Sequence, residues 1–180
     1  KQAAREVITP GGVGNAVTAY QDLPGRHDNW NIDIFYRKNG TPMTEDCSVR
    51  VEERGPVRAC LAVERRYSRS TLRQRIYFYA HTARIDFVSE VDWHNVNRIL
   101  KVNFPVDVYA DGLTCDIQFG NVKRPVHKNT SWELAKFEVP AHKWVDLSES
   151  DYGVALLSDA KYGFGLNGRE LDMTILKSGT

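Results

Sequence analysis

What this sequence has little of narrows its class before any motif is read. Cysteine is scarce: Cys47, Cys60 and Cys115 are an odd number, and no two stand in C-x-x-C spacing. They read as free, buried thiols of a reducing compartment rather than as a disulfide framework. No apolar run approaches the roughly 18 residues that a membrane span needs. Neither sign of charge dominates, with 24 Lys and Arg against 23 Asp and Glu. A nucleic-acid binder shows a basic excess, and none is present. There is no G-x-S-x-G turn for a serine nucleophile, and no two of the five histidines have H-x-H or H-x-x-x-H spacing. A secretion signal is also missing. The chain opens at Lys1 rather than Met, so an excerpt from a longer protein is expected and that absence carries little weight.

What is present is globular. The 180 residues are 42% hydrophobic and 26% charged, and contain no repeat, low-complexity segment or linker that would divide residues 1–180 into more than one domain. Two-residue alternation dominates. Leu72, Gln74, Ile76 and Phe78 alternate with Arg73, Arg75, Tyr77 and Tyr79, and Ile85, Phe87, Ser89 and Val91 with Asp86, Val88, Glu90 and Asp92. Similar runs occupy Val57–Glu64, Leu100–Phe104, Leu113–Phe119 and Leu171–Ile175. Such segments, broken by Asn39-Gly40, Gly55-Pro56, Asp111-Gly112 and Asn167-Gly168, are antiparallel strands covered on one face. The one helix candidate, Ser131–Phe137, is short. About a dozen short strands point to an all-β, antiparallel fold of two packed sheets.

The alternation also fixes a register. Leu72–Tyr79 and Arg84–Asp92 form a hairpin around Ala80–Ala83 if Phe78 faces Ile85, Ile76 faces Phe87 and Leu72 faces Val91. One face is then continuously apolar, which predicts burial of Ile76, Phe78, Ile85 and Phe87. The other sets Tyr77 opposite Asp86 and Arg73 opposite Glu90, an attractive pair on the wetter side. A slip of one residue would bury charge.

Two irregular stretches, Tyr20–Asn31 and Gly120–Trp132, are where a β framework would carry function. Pro24, Gly25 and the polar run Arg26–Asn29 make the first a projecting loop that displays Tyr20 or Trp30. All four tryptophans stand beside polar residues. That suits either a satisfied core indole or a sugar platform, because a pyranose has an apolar face and a polar rim. His127, His142, Asp146 and Glu149 could be imagined as metal ligands, and Asp28 with Asp33 or Asp151 with Asp159 as paired carboxylates. Nothing in their spacing makes them converge, so no metal, cofactor or catalytic pair is assigned to this chain.

Longer strings go further. IQFGNVKRPVHKNTSWELAKFEVPAHKWVDLSESDYGVALLSDAKYGF (Ile117–Phe164) closely resembles the C-terminal β region of family 38 α-mannosidases, most of all their bacterial and cytosolic branch. RIDFVSEVDWHN (Arg84–Asn95), ILKVNFPVDV (Ile99–Val108) and YQDLPGRHDNWNID (Tyr20–Asp33) resemble the same family, in the same order. Where that family commonly reads Asp-Ala-Trp-Asp, this chain has Asp28-Asn29-Trp30-Asn31, so no carboxylate role transfers to Asn31. Ala160 likewise stands where a cysteine is common.

The resemblance implies a supersandwich like that of galactose mutarotases, and a cytoplasmic retaining exo-glycosidase for terminal α-linked mannose. The catalytic carboxylates and a divalent metal, usually zinc, would lie in an upstream domain of the same polypeptide. This fragment by itself would be inactive and metal-free. It would brace the catalytic domain and line the substrate cleft through Tyr20, Asp28, Trp30, Arg124 and His127. Oligomers are common in the family, so a homo-oligomer is one expected partner. Two other classes fit the same residues, an autonomous carbohydrate-binding module and a purely structural or oligomer-interface domain.

Overall fold

The computed structural model describes residues 5–23, 25 and 29–180. Among them are 14 strands, one four-residue α-helix (α1, Ser131–Leu134) and a short 3-10 helix (Tyr36–Asn39). None of the described helices is long and apolar enough to cross a membrane.

Six strands make the central sheet: β1 (Ala16–Gln21), β2 (Gly40–Pro42), β7 (Arg98–Pro105), β10 (Val139–Pro140), β13 (Gly163–Asn167) and β14 (Glu170–Ser178). Their order is β10-β13-β14-β7-β1-β2, and every pairing is antiparallel. A second sheet contains β3 (Cys47–Arg54), β4 (Arg58–Tyr67), β5 (Ser70–Tyr79) and β6 (Ile85–Asp92) in sequence order. The third holds β8 (Gly112–Ile117), β9 (Gly120–Pro125), β11 (Trp144–Ser148) and β12 (Gly153–Leu157), ordered β12-β11-β8-β9. The antiparallel all-β class matches the sequence expectation, but the strands fall into three sheets where two were expected.

Alternation explains how three sheets still make two layers. Phe164 and Leu166 of β13, Leu171 and Met173 of β14, Leu100, Val102 and Phe104 of β7, and Val17 and Ala19 of β1 share one face of the central sheet. The β13–β14 half of that face packs with Leu113, Cys115, Val145 and Leu147 of the third sheet. The β7–β1 half packs with Leu72 and Val91 of the second. Phe104 and Met173 touch both clusters, so the two smaller sheets lie side by side over one apolar face.

The β5–β6 register is as the pattern requires: Phe78↔Ile85, Ile76↔Phe87, Tyr77↔Asp86, Arg73↔Glu90 and Leu72↔Val91. Burial departs from it. Leu72 and Ile76 are buried and Phe87 partly so, but Phe78 is 38% and Ile85 45% exposed. The end of the second sheet nearest the Ala80–Ala83 turn lies outside both core clusters. On the opposite face Arg73 and Glu90 are exposed as expected. Arg73 gives its Nε hydrogen bond to Glu64, at 3.0 Å, because β4 places that carboxylate directly across from it.

Cys60 and Cys115 are buried, whereas Cys47, expected inside, is exposed on the edge strand β3; all three are free. Burial is the leading cause that raises the pKa of both inner thiols. A thiol reagent at neutral pH is therefore expected to label Cys47 within minutes and the other two only on unfolding. Rapid titration of more than one thiol in the native chain would contradict this burial pattern.

Candidate functional site

The loop after β1 begins with an anchor. Asp22 is buried, its carboxylate pairs with Lys177 of β14, and its N–H donates to the Asn97 carbonyl at 2.9 Å. Further on, Asn29 takes a φ of +62°, a left-handed conformation that asparagine tolerates better than most residues. Trp30 follows it and is 83% exposed. The loop is fixed again at Tyr36, which is buried and meets Tyr20 edge-on with ring centroids 5.1 Å apart. Trp30 thus stands in solvent between two anchored positions, Asp22 and Tyr36.

Tyr20 is a correction to the loop reading. It belongs to β1, paired with Gly40 and Ile99, so the irregular stretch starts two residues later. Its ring lies over Gly40, where an added Cβ would stand only 2.6 Å from the Tyr20 ring carbons. Tyr20 is half-buried and burial raises its pKa, the nearby Arg37 charge working against that rise. Asp28 falls outside the described residues.

The second stretch brings Arg124 and His127 together. Arg124 pairs across the sheet with Leu113 and so faces inward, where one terminal nitrogen donates to the Pro140 carbonyl at 3.4 Å. Among the described residues its buried Nε has no hydrogen-bond partner. His127 Nδ1 lies 3.3 Å from Glu133. Glu133 also accepts the N–H groups of Asn129 and Thr130, and the Thr130 hydroxyl accepts the Glu133 N–H, a reciprocal cap that explains why α1 starts here. Burial pushes the Glu133 pKa up, but those two N–H groups and His127 outweigh it and hold it below the ordinary value. Arg124, His127, Glu133, Lys136 and Gly165 are among the residues that line a cavity of about 20 Å³, room for one water.

His142, Asp146, Glu149 and Asp33 each have a different partner. His142 packs against Tyr162, Asp146 takes the Ser148 hydroxyl, and Glu149 pairs with Arg5. Asp33 accepts the Phe35 N–H at 2.7 Å. Among the described residues no three His, Cys, Asp or Glu side chains form a group that could hold a metal ion. The tryptophans divide evenly: Trp30 and Trp132 are exposed, while Trp93 stacks on Tyr67 and Trp144 is half-buried.

Sequence reasoning missed the most unusual feature, a cluster of charge on the polar face of the central sheet. Lys101 of β7 is 2% exposed and Asp172 of β14 is 1% exposed, with Nζ and Oδ1 2.6 Å apart. Glu138, just before β10, lies 2.5 Å from the same ammonium. Arg37, in the 3-10 helix, reaches Glu138 at 2.8 Å and Asp172 at 2.7 Å. Tyr36 donates its hydroxyl to Glu138. Its pKa is raised well beyond the usual range, by burial first and then by the two carboxylates. Burial opposes the Arg37 charge, but Asp172 and Glu138 prevail and its pKa is raised. Gly165 makes room: a Cβ there would stand 2.7 Å from an Asp172 oxygen and 2.9 Å from a Glu138 oxygen. The available signal was two charges of opposite sign, Lys101 and Asp172, inside the largely apolar runs 99–104 and 171–176.

Comparison with known proteins places this architecture. The chain is 36% identical over 99% of its length to alpha-mannosidase G of Dictyostelium discoideum, and 36% identical over 98% to human alpha-mannosidase 2C1. The alpha-mannosidase of Saccharomyces cerevisiae is 33% identical over 91%. The chain spans only 17% of the length of the first two and 16% of the third. The crystal structure of an alpha-mannosidase from Enterococcus faecalis V583 shares the fold, with a TM-score of 0.73 at 12% identity, over 91% of this chain and 22% of that one. All of residues 1–180 match the family described as "Glycosyl hydrolases family 38 C-terminal domain", and the chain belongs to it.

Proposed function

We propose that residues 1–180 are one β-sandwich domain of a cytoplasmic α-mannosidase, bracing its catalytic part and lending one wall to the substrate cleft. The parent reaction is retaining hydrolysis of terminal α-linked mannose. The carboxylates that form and break the glycosyl-enzyme bond, and a divalent metal such as zinc, belong to the rest of the polypeptide. No step of that chemistry is assigned to residues of this chain.

One observation carries the cleft-wall reading: Trp30 is a large aromatic face, 83% exposed, on a loop secured by Asp22 at one end and Tyr36 at the other. An indole face presented to water supports a stacking platform for a pyranose. Tyr20 steadies the far end of that loop, its ring edge-on to Tyr36. His127 contributes a hydrogen-bonding rim, and Arg124 holds its segment to the Pro140 carbonyl.

In the full-length enzyme, Trp30→Ala is expected to lower kcat/KM for an aryl α-mannoside about tenfold, mostly through KM, the size expected for one lost stacking contact. The isolated chain is expected to show no turnover and no stoichiometric metal. Unchanged kinetics of Trp30→Ala would remove the cleft wall and leave a purely structural domain. Calorimetric binding of free mannosides by the isolated chain would instead make it an autonomous carbohydrate-binding module.

A further inference from the structure

We propose that Arg37, Lys101, Glu138 and Asp172 form a clamp that holds the Trp30 loop and the Arg124–His127 segment in one fixed relation. The four charges alternate around a square in which each cation touches both carboxylates, at 2.5–2.8 Å. Lys101 and Asp172 stand on neighbouring strands in the middle of the central sheet. Arg37 and Glu138 come from outside it. Arg37 ends the first loop just before β2, and Glu138 ends the second just before β10. Those two strands are the opposite edges of the sheet, five strand spacings apart, or about 24 Å. Among the described residues no ladder joins the two segments. They meet above the sheet centre, where Arg37 and Tyr36 both reach Glu138 across 101 and 102 residues of sequence.

The charge arithmetic separates this role from mere bracing. The sheet-borne pair, Lys101 and Asp172, is neutral by itself, and so is the loop-borne pair, Arg37 and Glu138. Removing both loop members therefore leaves the Lys101–Asp172 ion pair in the sheet and no uncompensated buried charge. The fold keeps its foundation while the two loops lose their connection. Gly165 fits the same scheme, since any larger side chain would occupy the place where the loop-borne and sheet-borne groups meet.

The functional consequence rests on the cleft-wall reading, and the test keeps the two apart. In the full-length α-mannosidase, the double substitution Arg37→Met with Glu138→Leu is compared with Tyr36→Phe, which removes only one donor to Glu138. Backbone hydrogen exchange of residues 29–36 and 126–137 is expected to rise about tenfold together in the double variant and less in Tyr36→Phe, with β5 and β6 unchanged. KM for an aryl α-mannoside is expected to rise about fivefold with kcat nearly unchanged, whereas Arg37→Lys alone, which keeps the charge, is expected to show little of that loss. Faster exchange in only one segment, or in neither, would overturn the clamp. Faster exchange in both with unaltered kinetics would uphold the clamp and overturn the cleft wall instead.

Discussion

Replacing Lys101 by methionine will lower the unfolding free energy by about 3–5 kcal/mol, the range found when one partner of a buried ion pair is removed. Lys101 is 2% exposed, so solvent screening does not soften the loss. The substitution leaves Glu138 and Asp172 with only Arg37 between them, an uncompensated negative charge beside a buried tyrosine. Removing Asp172 at the same time, as Lys101→Met with Asp172→Leu, leaves Arg37 paired with Glu138 and is expected to cost less than the single change. Denaturant unfolding of the 180-residue chain, run as a double-mutant cycle, measures the difference. Additive losses would show that the four groups act as separate contacts rather than as one network.

The strand register was legible because each of its determinants is local. Phe78 opposite Ile85 and Tyr77 opposite Asp86 follow from period-two alternation and a short turn, and neither needs knowledge of the rest of the molecule. Exposure of Trp30 was legible for a similar reason: the polar, glycine-containing run before it cannot make a strand. Burial was not. Alternation marks an apolar face without saying which part of it another sheet will cover, so Phe78 and Leu72 look equivalent in sequence and are 38% and 0% exposed in the fold. The clamp was the least legible feature. Arg37, Lys101, Glu138 and Asp172 share no motif, and only the strand order β10-β13-β14-β7-β1-β2 brings two edge-entering loops over one central pair.

Phe164→Ala is expected to cost about 3–5 kcal/mol, the range for a phenylalanine removed from a closed core. Phe164 is fully buried on β13, opposite Met173, in the cluster that joins the central sheet to Val145, Leu147 and Cys115 of the third sheet. Its neighbours on that face are strand residues held by ladders on both sides, so the surrounding atoms can relax only partly into the vacated space. Phe78→Ala deletes the same atoms from a site that is 38% open to water. Little cavity remains there and much of the ring's transfer free energy was never gained, so a loss of about 1 kcal/mol is expected. The two variants, unfolded in urea in the same 180-residue chain, read the split of the second layer directly. A midpoint shift for Phe78→Ala as large as that for Phe164→Ala would mean that the turn end of β5 and β6 is packed in solution, contrary to its position outside both clusters.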